Sequence, residues 1–376
     1  MWNQAANNSL LWKTVRMKNS HVNDWSGFVN TLKRNGTKHL DLRKMLNAQN
    51  SDEAWQEFSS NIGKVTELES IDLCRTSSNV LEGLFESNPS LRIINALAIK
   101  DVEKLHLTNI SNLQNLTELR LKSMNTLEVD SLEPLGSATS LKHLSLTSIS
   151  DLGQKSIHVL GNLTQLESLE LGDCCHLTTD LFVVGVLSKL VNLERLRLEK
   201  GQKQCCTFDI LDEIAKMPGL AQLELVNFDV KPEFDKHLEG CRHLKRLLII
   251  PTYISQSATT NHMILNGVLK LGNLEQLTWV VTLELLRVTE LYVDQCDGKR
   301  RDRKCPEDKI PVLKPVPGMS KEEQNGQQTI ADVPQVEILP LDKVEQILTT
   351  HLPHIKFSII KVPFIATWRQ YLIEIQ

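Results

Sequence analysis

Residues 141–171 read LKHLSLTSISDLGQKSIHVLGNLTQLESLEL, and one six-residue phrase, leucine-x-x-leucine-x-leucine, stands at both ends of the stretch. Working outward, the phrase begins again in the same form at Leu116, Leu193 and Leu220. More substituted copies begin at Trp12, Thr37, Leu68, Leu91, Leu244 and Leu274. Five of the ten steps between successive copies are 24 or 25 residues. The last two apolar positions of each copy are two apart, the spacing of one face of a β-strand, while the residues between copies read as short helices reached through polar turns. Helical pieces are expected in DLGQKSIHVLG before Asn162, in DLFVVGVLSKL from Asp180, in DILDEIAKM from Asp209 and in HMILNGVLKL from His262. Asp180 and Asp209 stand where N-caps belong. Return turns are marked by SNPS before Leu91, MPG before Leu220 and GN before Leu163 and Leu274.

One strand–loop–helix unit cannot bury its apolar stripe alone, so neighbouring units must stack. The fold class that follows is α/β, a leucine-rich-repeat solenoid of horseshoe form with parallel strands on its concave face and helices on its convex face. The repeated leucines are core and carry no chemistry. Cys174 falls three residues after the last leucine of LESLEL, which resembles the cysteine-containing type of this repeat and makes Cys174 a packing residue. The solenoid is expected over residues 12–296. Residues 297–335, rich in Lys, Pro, Gly and Gln and without periodicity, are expected to be a mobile charged loop or linker. Residues 336–376 contain VEILPL, IKFSIIKV and a helix-like DKVEQILTTHL, and are expected to cap the open end.

Composition narrows the function classes. The 376 residues are 41% apolar and 23% charged, with a net charge of −4, which argues against nucleic acid or an acidic membrane as principal partner. No run approaches the length of a membrane span, and MWNQAANNSLLW lacks the basic start and apolar core of a secretory signal. Eight dispersed cysteines fit a reducing compartment. A cytoplasmic location is expected, with the nucleus as alternative through the basic run Lys299, Arg300, Arg301, Arg303 and Lys304. His237, Cys241 and His243 have ligand-like spacing but no fourth partner nearby, so neither a metal nor a cofactor is expected. No phosphate loop, nucleophile elbow or HExxH pattern occurs, so no catalytic residue is assigned and an enzyme is not expected.

Binding must then sit on the residues alternating with the leucines, which the pleat turns away from the core. The middle outward row reads Arg16, Asp41, Asp72, Asn95, Arg120, Ser145, Glu170, Arg197, Glu224, Leu248 and Thr278. Arg120, Glu170, Arg197, Glu224, Arg246, Leu248, Ile250 and Val280 are the candidate partner-binding residues. Glu170, Arg197 and Glu224 fall on successive strands about 4.8 Å apart and are placed to pair with one another. From Val226 onward the surface turns apolar at Leu248, Ile250 and Val280. Two readings are open: a partner pocket rimmed by Arg197, Arg246 and Glu224, or a surface covered by residues 336–376.

Ahead of the first repeat, Trp2, Ala5, Ala6, Asn8, Leu11, Trp12 and Val15 occupy the positions of the end of an F-box, and the order of this element before the repeats resembles the F-box/leucine-rich-repeat family. The resemblance covers residues 2 to about 296 and makes residues 1–15 the remnant of an F-box C-terminal helix. It implies a non-catalytic substrate-recognition subunit of a Skp-cullin-F-box ubiquitin ligase. Trp2, Ala5, Ala6, Leu11 and Trp12 would face the Skp-type adaptor, and the solenoid would hold a protein destined for degradation. The leucine-proline opening of the family's motif is absent, so this chain is expected to bind the adaptor weakly or not at all. The other reading is a repeat scaffold or regulator unrelated to ubiquitin.

Overall fold

The computed structural model describes residues 8–46, 51–100, 104–172, 174, 176–199, 206–253, 256–297, 308–314 and 335–368. These fall into two compact units that divide at residue 193.

In the first unit every repeat phrase becomes a strand: β1 (Thr14–Lys18), β2 (His39–Lys44), β3 (Ser70–Cys74), β4 (Ile93–Ile99), β5 (Glu118–Leu127), β6 (His143–Ile149) and β7 (Ser168–Leu171). All pair in parallel with their sequence neighbours. The phrase explains both burial and register. Leu119, Leu121, Leu146, Leu169 and Leu171 have no accessible surface. The carbonyl just ahead of each strand accepts two N–H groups from the next repeat: Lys38 O from Glu69 and Ser70 (2.8 and 2.9 Å), Arg92 O from Thr117 and Glu118 (2.8 and 3.0 Å). A one-residue slip would break this ladder and turn the leucines to solvent.

The side behind the strands changes along this unit. Trp25–Asn35, Ser51–Ile62 and Ser78–Ser87 are α-helices, and Phe58 of the second meets Trp25 of the first edge-on at 5.2 Å and Trp55 of its own helix at 5.4 Å. Gly36, at φ 59°, ends the first of them in the left-handed conformation. The expected helix before Asn162 is instead two 3₁₀ turns, Leu152–Gln154 and Ile157–Asn162. The one from Asp180 is a π turn, Thr179–Val184, followed by a 3₁₀ turn, Leu187–Lys189, and its cap is Thr178, whose hydroxyl accepts from Leu181 N–H at 3.3 Å. Repeats of 25 and 23 residues hold the α-helices Trp25–Asn35 and Ser78–Ser87, so repeat length alone does not select the turns. The turns also crowd one another: a side chain at Gly161 would collide with the Gly185 carbonyl oxygen.

The second unit holds β8 (Arg195–Glu199), β9 (Gln222–Phe228), β10 (Arg246–Pro251) and β11 (Gln276–Thr282), parallel and in register. Behind them lie helices Thr207–Ile214, Phe234–Glu239, Ser257–Val268 and Leu283–Asp297. Cys206, not Asp209, is the N-cap of the first. Within the stretch expected to be a loop, β12 (Lys309–Leu313) pairs antiparallel with β13 (Val336–Pro340). The departure has a local cause. Ile310 and Val312 are fully buried, and the Pro311 carbonyl accepts from Asn261 Nδ2 at 2.8 Å, so a five-residue alternation is held by a helix distant in sequence. Helix Leu341–His351 leads into β14 (Lys356–Val362), which pairs with β11 from Gln276↔Lys356 to Thr282↔Val362. Lys356 N–H reaches Glu275 O at 2.8 Å, repeating the ladder contact of the earlier strands. The C-terminal segment therefore adds a further repeat strand, one whose phrase has decayed to Ile355, Phe357 and Ile359.

At the N-terminus, Trp2, Ala5 and Ala6 lie outside the described residues. Leu11 and Trp12 belong to a single 3₁₀ turn, Ser9–Trp12, capped by Asn8 Oδ1 accepting from Leu10 N–H at 3.1 Å. Val15 is already a strand residue opposite Leu40, so the helix expected to end near it does not extend that far. Among the described residues no helix is long and apolar enough to cross a membrane.

Candidate binding face

On the strand face of the second unit the charged residues turn inward on each other. Glu224 is 2% exposed and accepts from Arg195 Nε at 2.9 Å, Arg197 Nη1 at 2.6 Å and Gln222 Nε2 at 2.6 Å. Burial pushes its carboxyl upward. The charges of Arg195 and Arg197 with these hydrogen bonds outweigh burial and hold the group below its ordinary range. Arg197 is 3% exposed, so Arg197 and Glu224 bind each other, as their places on adjacent strands allow, and are neither the rim of a pocket nor partner-binding residues, contrary to that sequence expectation.

The next row answers the question left open at Leu248, Ile250 and Val280. Val226, Ile250 and Val280 are at most 2% exposed and cluster with Val362, with Leu248, Ile360 and Ala366 packed against them. After β14 the chain continues as helix Phe364–Trp368. Asn227, at φ 55°, donates from Nδ2 to the Thr367 carbonyl at 2.6 Å, and Glu284 accepts the Phe364 N–H at 2.8 Å. Ile250 and Val280 are thus core, not partner-binding surface. Leu248 is half-buried at the margin, and Arg246 is exposed at the start of β10. Ile250→Ser is expected to lower stability by about 3 kcal/mol, the loss for a truncated buried aliphatic with a hydroxyl left in its place. Urea denaturation measures this. An unchanged midpoint would mean that Ile250 is not packed under the C-terminal segment.

The strand face of the first unit is mainly polar over β1 to β5, interrupted on β4 by half-buried Ile93 and Leu97. Arg120 is exposed and its Nε lies 2.8 Å from Glu118. Arg43 grips Asp41 through two hydrogen bonds of 2.8 and 3.0 Å and approaches Asp72 at 3.9 Å, while Asn95 donates to Asp72 at 3.0 Å. The hydrogen bond from Arg43 lowers the Asp41 carboxyl pKa against the opposing effect of burial. Glu170 is 7% exposed on β7. Along the edge where the strands start runs a groove of about 580 Å³, lined by Lys38, Glu69, Arg92, Asn115, Thr117 and Ser140. Lys38 and Glu69 pair across it at 2.5 Å.

Of the residues singled out as possible ligands, His237 stacks on Phe208 (4.5 Å between ring centres) and bonds Asp212 at 2.6 Å. Cys241 is buried, with its thiol toward the Leu211 carbonyl and its pKa pushed up by burial to about 12. Cys174 is likewise buried, its thiol 3.2 Å from the Leu171 carbonyl. The repeat register alone did not single out Arg195 and Gln222 as partners of Glu224. The signal was available, since each lies two residues before a member of the middle row and so on the same face.

No protein-family model matches the sequence, and no curated protein matches it. Solved structures do. An internalin, InlF, of Listeria monocytogenes is 18% identical over 66% of this chain and 63% of its own, at a TM-score of 0.39. TLR13 in its complex with ssRNA13 is 16% identical over 72% and 45%, at 0.40. A chain of the octameric complex of Latrophilin 3, Unc5D and FLRT2 is 18% identical over 68% and 79%, at 0.34. The chain thus spans less than two thirds of the internalin's length. Its own repeats and strand ladder make it an α/β leucine-rich-repeat solenoid, and at these identities the likenesses concern fold alone.

Proposed function

We propose that the chain is a non-enzymatic scaffold that binds a protein partner on the strand face of its first unit. The observation that supports this most is the contrast of surfaces: β1, β2, β3 and β5 present mainly charged and polar side chains, with Asn95 between half-buried Ile93 and Leu97 on β4, while the apolar row on β9 to β11 is covered by the chain itself. A photo-crosslinking residue at position 120, on the strand face, is expected to capture a partner that the same residue at position 64, in the turn after helix Ser51–Ile62, does not. Equal capture from both positions would count against the strand face.

The finer assignment is that of a substrate receptor of a Skp-cullin-F-box ubiquitin ligase. It rests on the F-box-like residues that stand directly before the first repeat, of which Leu11 is 63% exposed and free to meet an adaptor. With an F-box joined ahead of residue 1, the chain is expected to bind a purified Skp-type adaptor stoichiometrically, and this binding is expected to be lost in Leu11→Ala/Trp12→Ala. Failure of the completed chain to bind would leave the scaffold reading standing and remove the ligase.

A further inference from the structure

The strand face of the first unit carries charges of both signs, but the two signs do not stand at the same height. Asp41, Asp72 and Glu118 are recessed, with side chains 22%, 20% and 18% exposed. Arg43 and Arg120, which pair with them, are 45% and 49% exposed and lie above. Arg16 and Lys18 on β1 alternate with the inward Val15 and Met17 and are exposed. Arg75, just after β3, is exposed in the left-handed conformation at φ 58°. A ligand approaching this face therefore meets five cations before it meets three carboxylates, in a protein whose net charge is −4.

We propose that this face docks an acidic, extended segment of a protein partner, with Arg16, Lys18, Arg43, Arg75 and Arg120 as the groups that receive its carboxylates. The inference rests on the scaffold reading above and adds the chemistry of the partner. Five strands about 4.8 Å apart place β1 and β5 about 19 Å from each other, a distance covered by about six residues of extended chain. Side chains alternate along such a segment, so its carboxylates can be spaced to meet cations and to pass over Asp41 and Asp72. A nucleic-acid strand cannot skip in this way. Its charge recurs at every phosphate, and some would lie against the recessed carboxylates. The guanidinium groups can hold carboxylates through two parallel N–H donors, as they can phosphates, so the choice between the two rests on the spacing of charge.

Fluorescence anisotropy of the full chain with a labelled peptide of alternating Glu and Ser, about twelve residues long so as to span the five strands, tests this. Binding is expected, weakening as salt rises from about 50 to about 200 mM. Arg16→Glu/Arg75→Glu is expected to weaken it about tenfold or more, while Lys33→Glu/Lys189→Glu, the same charge change behind the strands, leaves it unchanged. Equal loss in both variants would reduce the effect to net charge and overturn the proposal. Tighter binding of an oligothymidylate of similar length would overturn it in favour of nucleic acid. If the peptide fails to bind while crosslinking from position 120 still captures a protein, the acidic partner is wrong and the scaffold reading survives.

Discussion

Glu224→Ala is expected to lower the folding free energy by about 3–5 kcal/mol, among the largest single-residue losses in the molecule, because it strips a buried ion pair of one partner. Glu224 and Arg197 have side chains only 3% and 4% exposed and meet at 2.6 Å, with Arg195 at 2.9 Å on the same carboxylate. Removing the carboxylate leaves Arg197 charged in a setting where water cannot replace its partner. Glu224→Gln keeps the shape and an acceptor oxygen but not the charge, and is expected to cost less. The pH dependence gives an independent check. The folded carboxyl is depressed below its ordinary value of 4.5, so its contribution is complete above that value and is lost as pH falls through the lower, folded value. Urea midpoints measured from neutral pH downward should fall more steeply for the natural protein than for Glu224→Gln over that acidic window. Parallel curves would mean that the carboxylate is not held by the arginines.

The register that marks Glu224 as an outward residue does not show that it is buried, and this divides what the sequence reveals from what it hides. Leucines at fixed spacing disclose strands, their direction and their inward faces, because one physical demand, burial of an apolar stripe, recurs at every copy. What returns the chain between strands is less regular. Leu152–Gln154 and Thr179–Val184 look helical in sequence and are a 3₁₀ and a π turn, a choice that the apolar spacing does not encode. Hardest to read are contacts without a repeat to copy. Thr367 meeting Asn227 and Pro311 meeting Asn261 join residues 140 and 50 positions apart, and neither leaves a periodic trace. On the candidate face, the alternation of side chains shows which residues point outward. That cations stand above carboxylates follows from Arg43 folding back on Asp41, a rotamer choice that spacing does not encode.

Trp279→Ala is the second large effect expected, at about 3–5 kcal/mol for a fully buried indole. Its consequence should reach further than the cavity. The indole N–H donates to the Tyr253 hydroxyl at 3.0 Å, that hydroxyl donates to Asn261 Oδ1 at 2.9 Å, and Asn261 Nδ2 donates to the Pro311 carbonyl. Burial raises the phenol's pKa against the indole's opposing bond, which keeps the hydroxyl a neutral link in the chain. Strand β11 is thereby tied to the β12–β13 hairpin through three side chains. Trp279→Phe separates packing from connection, for it retains much of the apolar bulk and removes only the first donor, at about 1–2 kcal/mol. Hydrogen exchange of the backbone amides in Lys309–Leu313 should quicken in Trp279→Phe while those of β9 and β10 stay slow. If the hairpin amides exchange as in the natural protein, the polar chain does not anchor it, and the buried faces of Ile310 and Val312 must hold the hairpin alone.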